Sequence, residues 1–224
     1  MSTSTPKVWF AIPTANPAAA ARNLPRWRAM GYRVAVLQDR RRFPVPEADL
    51  VFTPSTEYLG WGTSVSLLSR MLVIAGADIV VTGGDDMQPD PRHRAEEIGR
   101  QFIEHFGGTL GVMQPTGDDM PGVDRICGSP WLGRQWIIDG YGGMGPVPTC
   151  YRHFYADEEL KLVAERQGKL WMRPDLVQHH EHWSRTGQRH EVAEVLQTYW
   201  AEDQGTFINR QMCGFPGSML QKRA

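Results

Sequence analysis

The sequence has few cysteines, no long apolar run and no excess of one charge. Only three of its 224 residues are cysteine, and no two of them form a CxxC pair. This spacing argues against both a disulfide framework and a thiolate zinc site, and it is typical of a reducing cytoplasm. The formal net charge is -1, with 24 basic and 25 acidic residues, so no general electrostatic attraction to nucleic acid or to an anionic membrane is expected.

The apolar run that follows Lys7 stops at Pro13, which is too short for a bilayer span and unlike the core of a signal peptide. We therefore expect a protein that works in the cytoplasm without a membrane anchor. With 41% hydrophobic and 22% charged residues, the chain has the composition of an ordinary globular domain that can bury a substantial core.

Apolar runs with strand character alternate along the chain with stretches of helical periodicity. Such an alternation predicts an α/β fold with a mostly parallel central sheet flanked by helices, followed by C-terminal helices. In such sheets ligands bind beyond the carboxyl ends of the strands. The strands are expected at about 8–12, 33–38, 50–52, 78–82 and 109–113.

The strand expected at 78–82 runs directly into Gly83, Gly84, Asp85 and Asp86. Glycine lets the backbone approach a ligand closely, and adjacent carboxylates attract a cation. This pattern predicts a ligand site at the strand end. The competing interpretation is a plain polar turn between a strand and a helix.

A histidine cluster at 179–182 supplies nitrogen ligands that, with Asp86, suit Mn²⁺ or Mg²⁺ better than a thiolate-bound metal. If this segment is extended, His180 and His182 point to one side while His179 and Glu181 point to the other. We therefore favour His180 or His182 as the metal ligand. The alternative is a polar strand end without a metal.

Asp157 stands where a helix is expected to begin, so it is a candidate general base and equally a candidate helix N-cap. Before it, residues 140–148 contain four glycines and two prolines, which is typical of a loop that shapes a substrate site. Trp131, Arg134 and Tyr141 border this loop and are the predicted acceptor-binding residues, although aromatic residues also commonly form the core.

The order of these features resembles the GT-A fold glycosyltransferases, particularly the family 2-like inverting group. The resemblance rests on the strand ending in Pro13-Thr14, the strand ending in Asp39, the segment "AGADIVVTGGDDM", the loop "GSPWLGR" and the segment "YADEELKLVAERQGKLWMRPDLVQHHEHW". It covers roughly residues 7–183. It implies a Rossmann-like domain with a donor half at about 7–113 and an acceptor half at about 114–183, between a flexible segment 1–6 and a helical extension 184–224 packed on the same domain.

The resemblance also implies roles for individual residues. Pro13, Thr14 and Asp39 would bind the nucleotide base, and Asp85 the ribose. Asp86 of the DXD-like motif would bind a Mn²⁺ or Mg²⁺ ion that bridges the diphosphate of a nucleoside diphosphate sugar, with a UDP-sugar as the expected donor. Asp157 would be the catalytic base.

Two positions depart from the family pattern. Gly84 replaces the first carboxylate of the motif, and Ala156 replaces the Glu that normally precedes the catalytic Asp. A retaining mechanism in the same fold would not need Asp157 as a base.

The expected activity is therefore transfer of a sugar to a hydroxyl acceptor, either a soluble molecule or a modified base in DNA. Two alternatives remain at this stage. One is a metal-dependent phosphohydrolase or nuclease that uses the same carboxylates and histidines. The other is a non-catalytic module that binds nucleotide sugars.

Overall fold

The computed structural model describes residues 5–38, 41–54, 58–187 and 196–219. Within these ranges, seven strands form one central sheet and two short strands form a second. The strands are β1 Val8–Thr14, β2 Arg33–Gln38, β3 Leu50–Phe52, β4 Ile79–Val81, β5 Met87–Gln88, β6 Val112–Pro115, β7 Trp131–Gly133, β8 Leu170–Arg173 and β9 His179–His180.

The central sheet has the order β3-β2-β1-β4-β7-β6-β8. All its pairings are parallel except those of β7, which runs antiparallel to both β4 and β6. The predicted α/β fold with a mostly parallel sheet is thereby confirmed. The antiparallel strand was not predicted, because three residues are too short to show the alternation by which a strand is recognised in a sequence.

Helices cover both faces of the sheet, and alternation along the strands sends side chains to each. The helices are α1 Pro17–Ala29, α2 Trp61–Ile74, α3 Ala95–Phe106, α4 Arg134–Asp139, α5 Ala156–Arg166, α6 Trp183–Thr186 and α7 Trp200–Met212. On β1, Trp9 packs into the core that contains α2 and α5 residues, while Phe10 packs into the core that contains α1 and α3 residues.

Strand β1 continues two residues beyond its expected end, and Pro13 pairs in register with Leu37 of β2. Proline lacks an N–H and is normally excluded from central strands. Here the last pair between β1 and β4 is Phe10 with Val81, so Pro13 lies beyond the part of β1 that is paired on both sides. The sheet therefore tolerates proline at this position.

Helix α7 is held against the loop that precedes α5 by one buried carboxylate. Asp203, which is 1% exposed, accepts hydrogen bonds from the backbone N–H groups of Arg152, His153 and Phe154, each at 2.8 Å. A second contact joins α7 to α5 itself. Arg210 of α7 donates two hydrogen bonds to the buried Glu159 of α5.

Replacing Asp203 by alanine is expected to lower the free energy of unfolding by about 2–4 kcal/mol, because three partly buried backbone N–H groups lose a charged acceptor. Urea denaturation followed by circular dichroism measures this change. Glu202→Ala is the control, since the neighbouring Glu202 is exposed. Equal stabilities of the two variants would contradict the role given to Asp203.

Candidate functional site

The site is built where β4 ends and the small sheet begins. Strands β5 and β9 pair antiparallel, with Met87 opposite His180 and Gln88 opposite His179. This pairing brings together two residues separated by 94 positions, and His180 Nε2 lies 3.1 Å from Asp86 Oδ2. The predicted partners Asp86 and His180 are therefore neighbours in space.

Both side chains of this pair are partly accessible, at 32% for Asp86 and 33% for His180. Partial burial alone would raise the pKa of Asp86. The hydrogen bond and the charge of His180, with smaller contributions from the backbone and from His182, hold the pKa of this carboxyl below its ordinary value. The aspartate is therefore ionised at neutral pH and available as a ligand for a cation.

His182 lies beside this pair, with its ring centroid 5.1 Å from that of His180. Burial, followed by the nearby His180, lowers the pKa of His182 and favours the neutral imidazole. Its Nδ1 is hydrogen-bonded to Ser184 Oγ at 2.8 Å. His182 is thus adjacent to Asp86 and His180. Because His180 is the histidine that is hydrogen-bonded to Asp86, it is the better candidate for the metal ligand.

Asp85 turns away from its neighbour and contacts the end of β1. Its Oδ2 accepts hydrogen bonds from Thr14 Oγ1 at 2.7 Å and from the backbone N–H of Asn16 at 3.1 Å. The adjacent carboxylates of Asp85 and Asp86 therefore contact different residues. Asp85 joins the rims of β1 and β4, which places the predicted nucleotide-binding Thr14 next to the carboxylate pair.

A buried asparagine supports the same corner from α1. The Nδ2 of Asn23 donates to the carbonyl oxygen of Asp85 at 3.0 Å and to Glu181 Oε2 at 3.2 Å. The backbone N–H of Glu181 in turn donates to the carbonyl oxygen of Asp86 at 2.9 Å. Asn23 is 0% exposed, so these contacts fix the two chain segments that carry Asp86 and His180.

Replacing Asn23 by aspartate is expected to lower the free energy of unfolding by about 2–3 kcal/mol, because a buried donor becomes an acceptor facing two other acceptors. Urea denaturation of this variant tests the contact. The matched control is Asn209→Asp on the exposed part of α7, for which only a few tenths of a kcal/mol are expected. A stability loss no larger than that of the control would show that Asn23 does not hold this corner.

The structure adds a residue that the sequence did not single out. Asp118, in the loop after β6, is 8% exposed and accepts a hydrogen bond from the backbone N–H of His180 at 3.1 Å. Arg185 Nη1 donates to the same carboxylate at 3.0 Å. The only sequence signal was the acidic pair Asp118-Asp119 in a glycine- and proline-rich loop.

Asp157 lies in the first turn of α5, where its Oδ1 accepts a hydrogen bond from the backbone N–H of Glu158 at 3.2 Å. The segment that precedes β7 lies between Asp157 and the end of β4. A methyl group added at Gly128 would lie 3.9 Å from Asp157 Oδ2, and one added at Gly83 would lie 3.4 Å from Ser129 Cβ. Residues 128–129 thus separate Asp157 from the end of β4.

Glu158, the next residue, has a pKa that its surroundings raise. Burial, and after it the hydrogen bond and charge of Asp157, raise the pKa of Glu158 well above its ordinary value. Glu158 therefore keeps its proton at neutral pH. A carboxyl group with a strongly raised pKa is a common feature of sites of proton transfer.

The three predicted acceptor-binding residues lie in the core or away from the carboxylates. Trp131 is 0% exposed in β7 and donates through its indole N–H to Gln178, and Tyr141 is 3% exposed in the core. Arg134 Nε donates to the carbonyl oxygen of Ala77, which lies at the opposite end of β4 from the carboxylates. Their contacts with an acceptor stay predictions.

The predicted base-binding residue Asp39 lies outside the described residues. Among the described residues, no group of three or more His, Cys, Asp or Glu side chains is arranged to hold a metal ion. The helices in the described ranges include none that is both long enough and apolar enough to cross a membrane.

No protein-family model matches this chain, and no curated protein shows significant similarity to it. Among solved structures, it is similar to the 2.76 Å crystal structure of a Bacillus anthracis protein, assigned as a glucose-1-phosphate thymidylyltransferase, in complex with sucrose. The TM-score is 0.48 and the sequence identity 9%, over 74% of this chain and 86% of that one. A likeness of this size does not indicate what this chain binds.

Proposed function

We propose that the protein is a metal-dependent glycosyltransferase that moves a sugar from a nucleoside diphosphate sugar to a hydroxyl acceptor. The observation that carries this proposal is the pair of Asp86 and His180, 3.1 Å apart at the carboxyl end of β4. The rim formed by Thr14 and Asp85 adjoins it. In open α/β sheets this edge is where nucleotide ligands bind.

The side chains at this corner suit a hard divalent cation. Mg²⁺ and Mn²⁺ are commonly held by one or two protein ligands, with the remaining positions taken by water and by substrate phosphates. One carboxylate oxygen of Asp86 and one imidazole nitrogen of His180 supply such a partial ligand set. A metal site of this kind therefore does not require a closed cluster of three protein ligands. When bound, the ion would neutralise charge on the leaving diphosphate.

The residues themselves divide the remaining work. Asp85 orders the rim that would contact the nucleoside, through its hydrogen bonds to Thr14 and Asn16. In an inverting reaction, Asp157 would accept the proton of the acceptor hydroxyl. The neutral carboxyl of Glu158 would keep a second negative charge away from that position.

A thermal-shift panel of nucleoside diphosphate sugars, each with and without Mn²⁺, tests the donor site. A ligand that binds only the folded protein raises its melting temperature. We expect a shift for at least one UDP-sugar, larger with Mn²⁺ present, and transfer to an acceptor in a product assay. Hydrolysis of the donor to UMP and a sugar 1-phosphate, without sugar transfer, would favour the hydrolase alternative. Binding without any turnover would favour a non-catalytic module.

A further inference from the structure

An aromatic cluster lies beside the beginning of α5. The ring of Trp200, the first residue of α7, has its centroid 4.9 Å from that of Phe154 and 5.2 Å from that of Tyr155. Tyr155 also stacks on Phe207 at 5.1 Å. Despite these contacts Trp200 is 41% exposed. A large apolar ring that solvent reaches therefore lies against Tyr155, which precedes Asp157 by two residues in the sequence.

The backbone holds this cluster in place. Tyr155 has a φ of 70°, a left-handed conformation that is uncommon for a residue with a side chain, and it stands two positions before Asp157. Such strain persists only where the surrounding structure imposes it, and it is concentrated at functional sites. Here Asp203 imposes it from α7, because its carboxylate binds the three backbone N–H groups that precede Tyr155.

The charges around the cluster restrict its ligand. The first turns of α5 and α7 contain five acidic residues, Asp157, Glu158, Glu159, Glu202 and Asp203. The loop 152–155 adds a single cation, Arg152. The accessible carboxylates among them are those of Asp157 and Glu202. A polyanion such as DNA would be repelled there, whereas a carboxylate accepts hydrogen bonds from the hydroxyl groups of a neutral ligand.

We propose that Trp200 and Tyr155 form the acceptor subsite and bind the flat face of an uncharged, hydroxyl-bearing ring. The C–H face of a hexose and the face of a nucleoside base share this chemistry, and both stack on aromatic side chains. The inference rests on the proposed function, because it assigns the position of the acceptor in the transfer reaction. It replaces the buried Trp131 and Tyr141 by aromatic residues that solvent reaches.

The experiment measures the acceptor KM of Trp200→Ala in the full-length protein, with methyl hexosides in one arm and uridine in the other. We expect the KM for the preferred arm to rise about 10-fold or more, from the usual contribution of one stacked ring. The Mn²⁺-dependent thermal shift with the UDP-sugar donor should stay unchanged. Ile208→Ala is the matched control, because Ile208 is an exposed apolar residue of the same helix, at 48% exposure.

Two further variants separate stacking from folding. Trp200→Phe keeps an aromatic ring and should restore most of the affinity, while Trp200→Leu keeps apolar bulk without a ring and should not. Equal acceptor KM values for the wild type, the Phe variant and the Leu variant would overturn the subsite. Preference for duplex DNA over both neutral acceptors would overturn it as well. A wild-type protein that shows neither donor binding nor transfer would instead overturn the proposed function.

Discussion

Asp86→Asn is expected to lower kcat/KM for sugar transfer by about 10²–10³-fold, equivalent to about 3–4 kcal/mol of transition-state stabilisation. The amide keeps the size of the side chain and removes the negative charge next to His180. A divalent ion that depends on this charge would bind more weakly. Steady-state kinetics give the loss of rate, and calorimetric titration of Mn²⁺ in the presence of UDP gives the loss of metal affinity.

Asp78→Asn is the matched control for this variant. Asp78 precedes the opposite end of β4, where its Oδ2 accepts a hydrogen bond from the backbone N–H of Lys7 at 2.9 Å. Asparagine can keep this contact, so activity and Mn²⁺ affinity should remain at wild-type values. Unchanged metal affinity in Asp86→Asn would contradict the metal site, even if its activity fell.

Asp157→Asn is expected to lower kcat by about 10²–10⁴-fold, the usual contribution of a positioned general base. Asparagine occupies the same volume but cannot take a proton from the acceptor hydroxyl. Donor affinity should stay at its wild-type value, since residues 128–129 separate Asp157 from the end of β4. Transfer assays at saturating acceptor, together with donor thermal shifts, measure the two effects separately.

The control for the second variant is Glu165→Gln, which makes the same carboxylate-to-amide change at an exposed position of α5. Its kcat should equal that of the wild type. If Asp157→Asn also keeps its kcat, Asp157 is not the base, and a retaining reaction becomes the better description. Determining the anomeric configuration of the product by NMR would then decide between the two outcomes.

Local sequence patterns predicted much of the fold. Strand β2 was expected at 33–38 and spans Arg33–Gln38, because a β-branched apolar run between polar residues shows its own boundaries. The strand end at Gly83-Gly84-Asp85-Asp86 was recognised for a similar reason, since its apolar run, glycines and carboxylates are consecutive. Other boundaries involve contacts between distant segments. Helix α3 begins at Ala95 without a side-chain cap, while the buried carboxylate of the nearby Asp90 accepts hydrogen bonds from the backbone N–H groups of Arg92 and Val177.

The arrangement of the site depended on long-range contacts that no local pattern contains. Asp86 meets His180, 94 positions away, only because β5 pairs with β9. Trp131, a predicted acceptor contact, is buried in the core because β7 pairs antiparallel with β4. The exposed Trp200 contacts Tyr155 because Asp203 ties α7 to the loop that precedes α5. By itself, the sequence determined the α/β elements and led to the proposed type of ligand chemistry, since both depend on neighbouring residues. Only the tertiary structure decided which side chains meet and which are buried, because those contacts join segments that are distant along the chain.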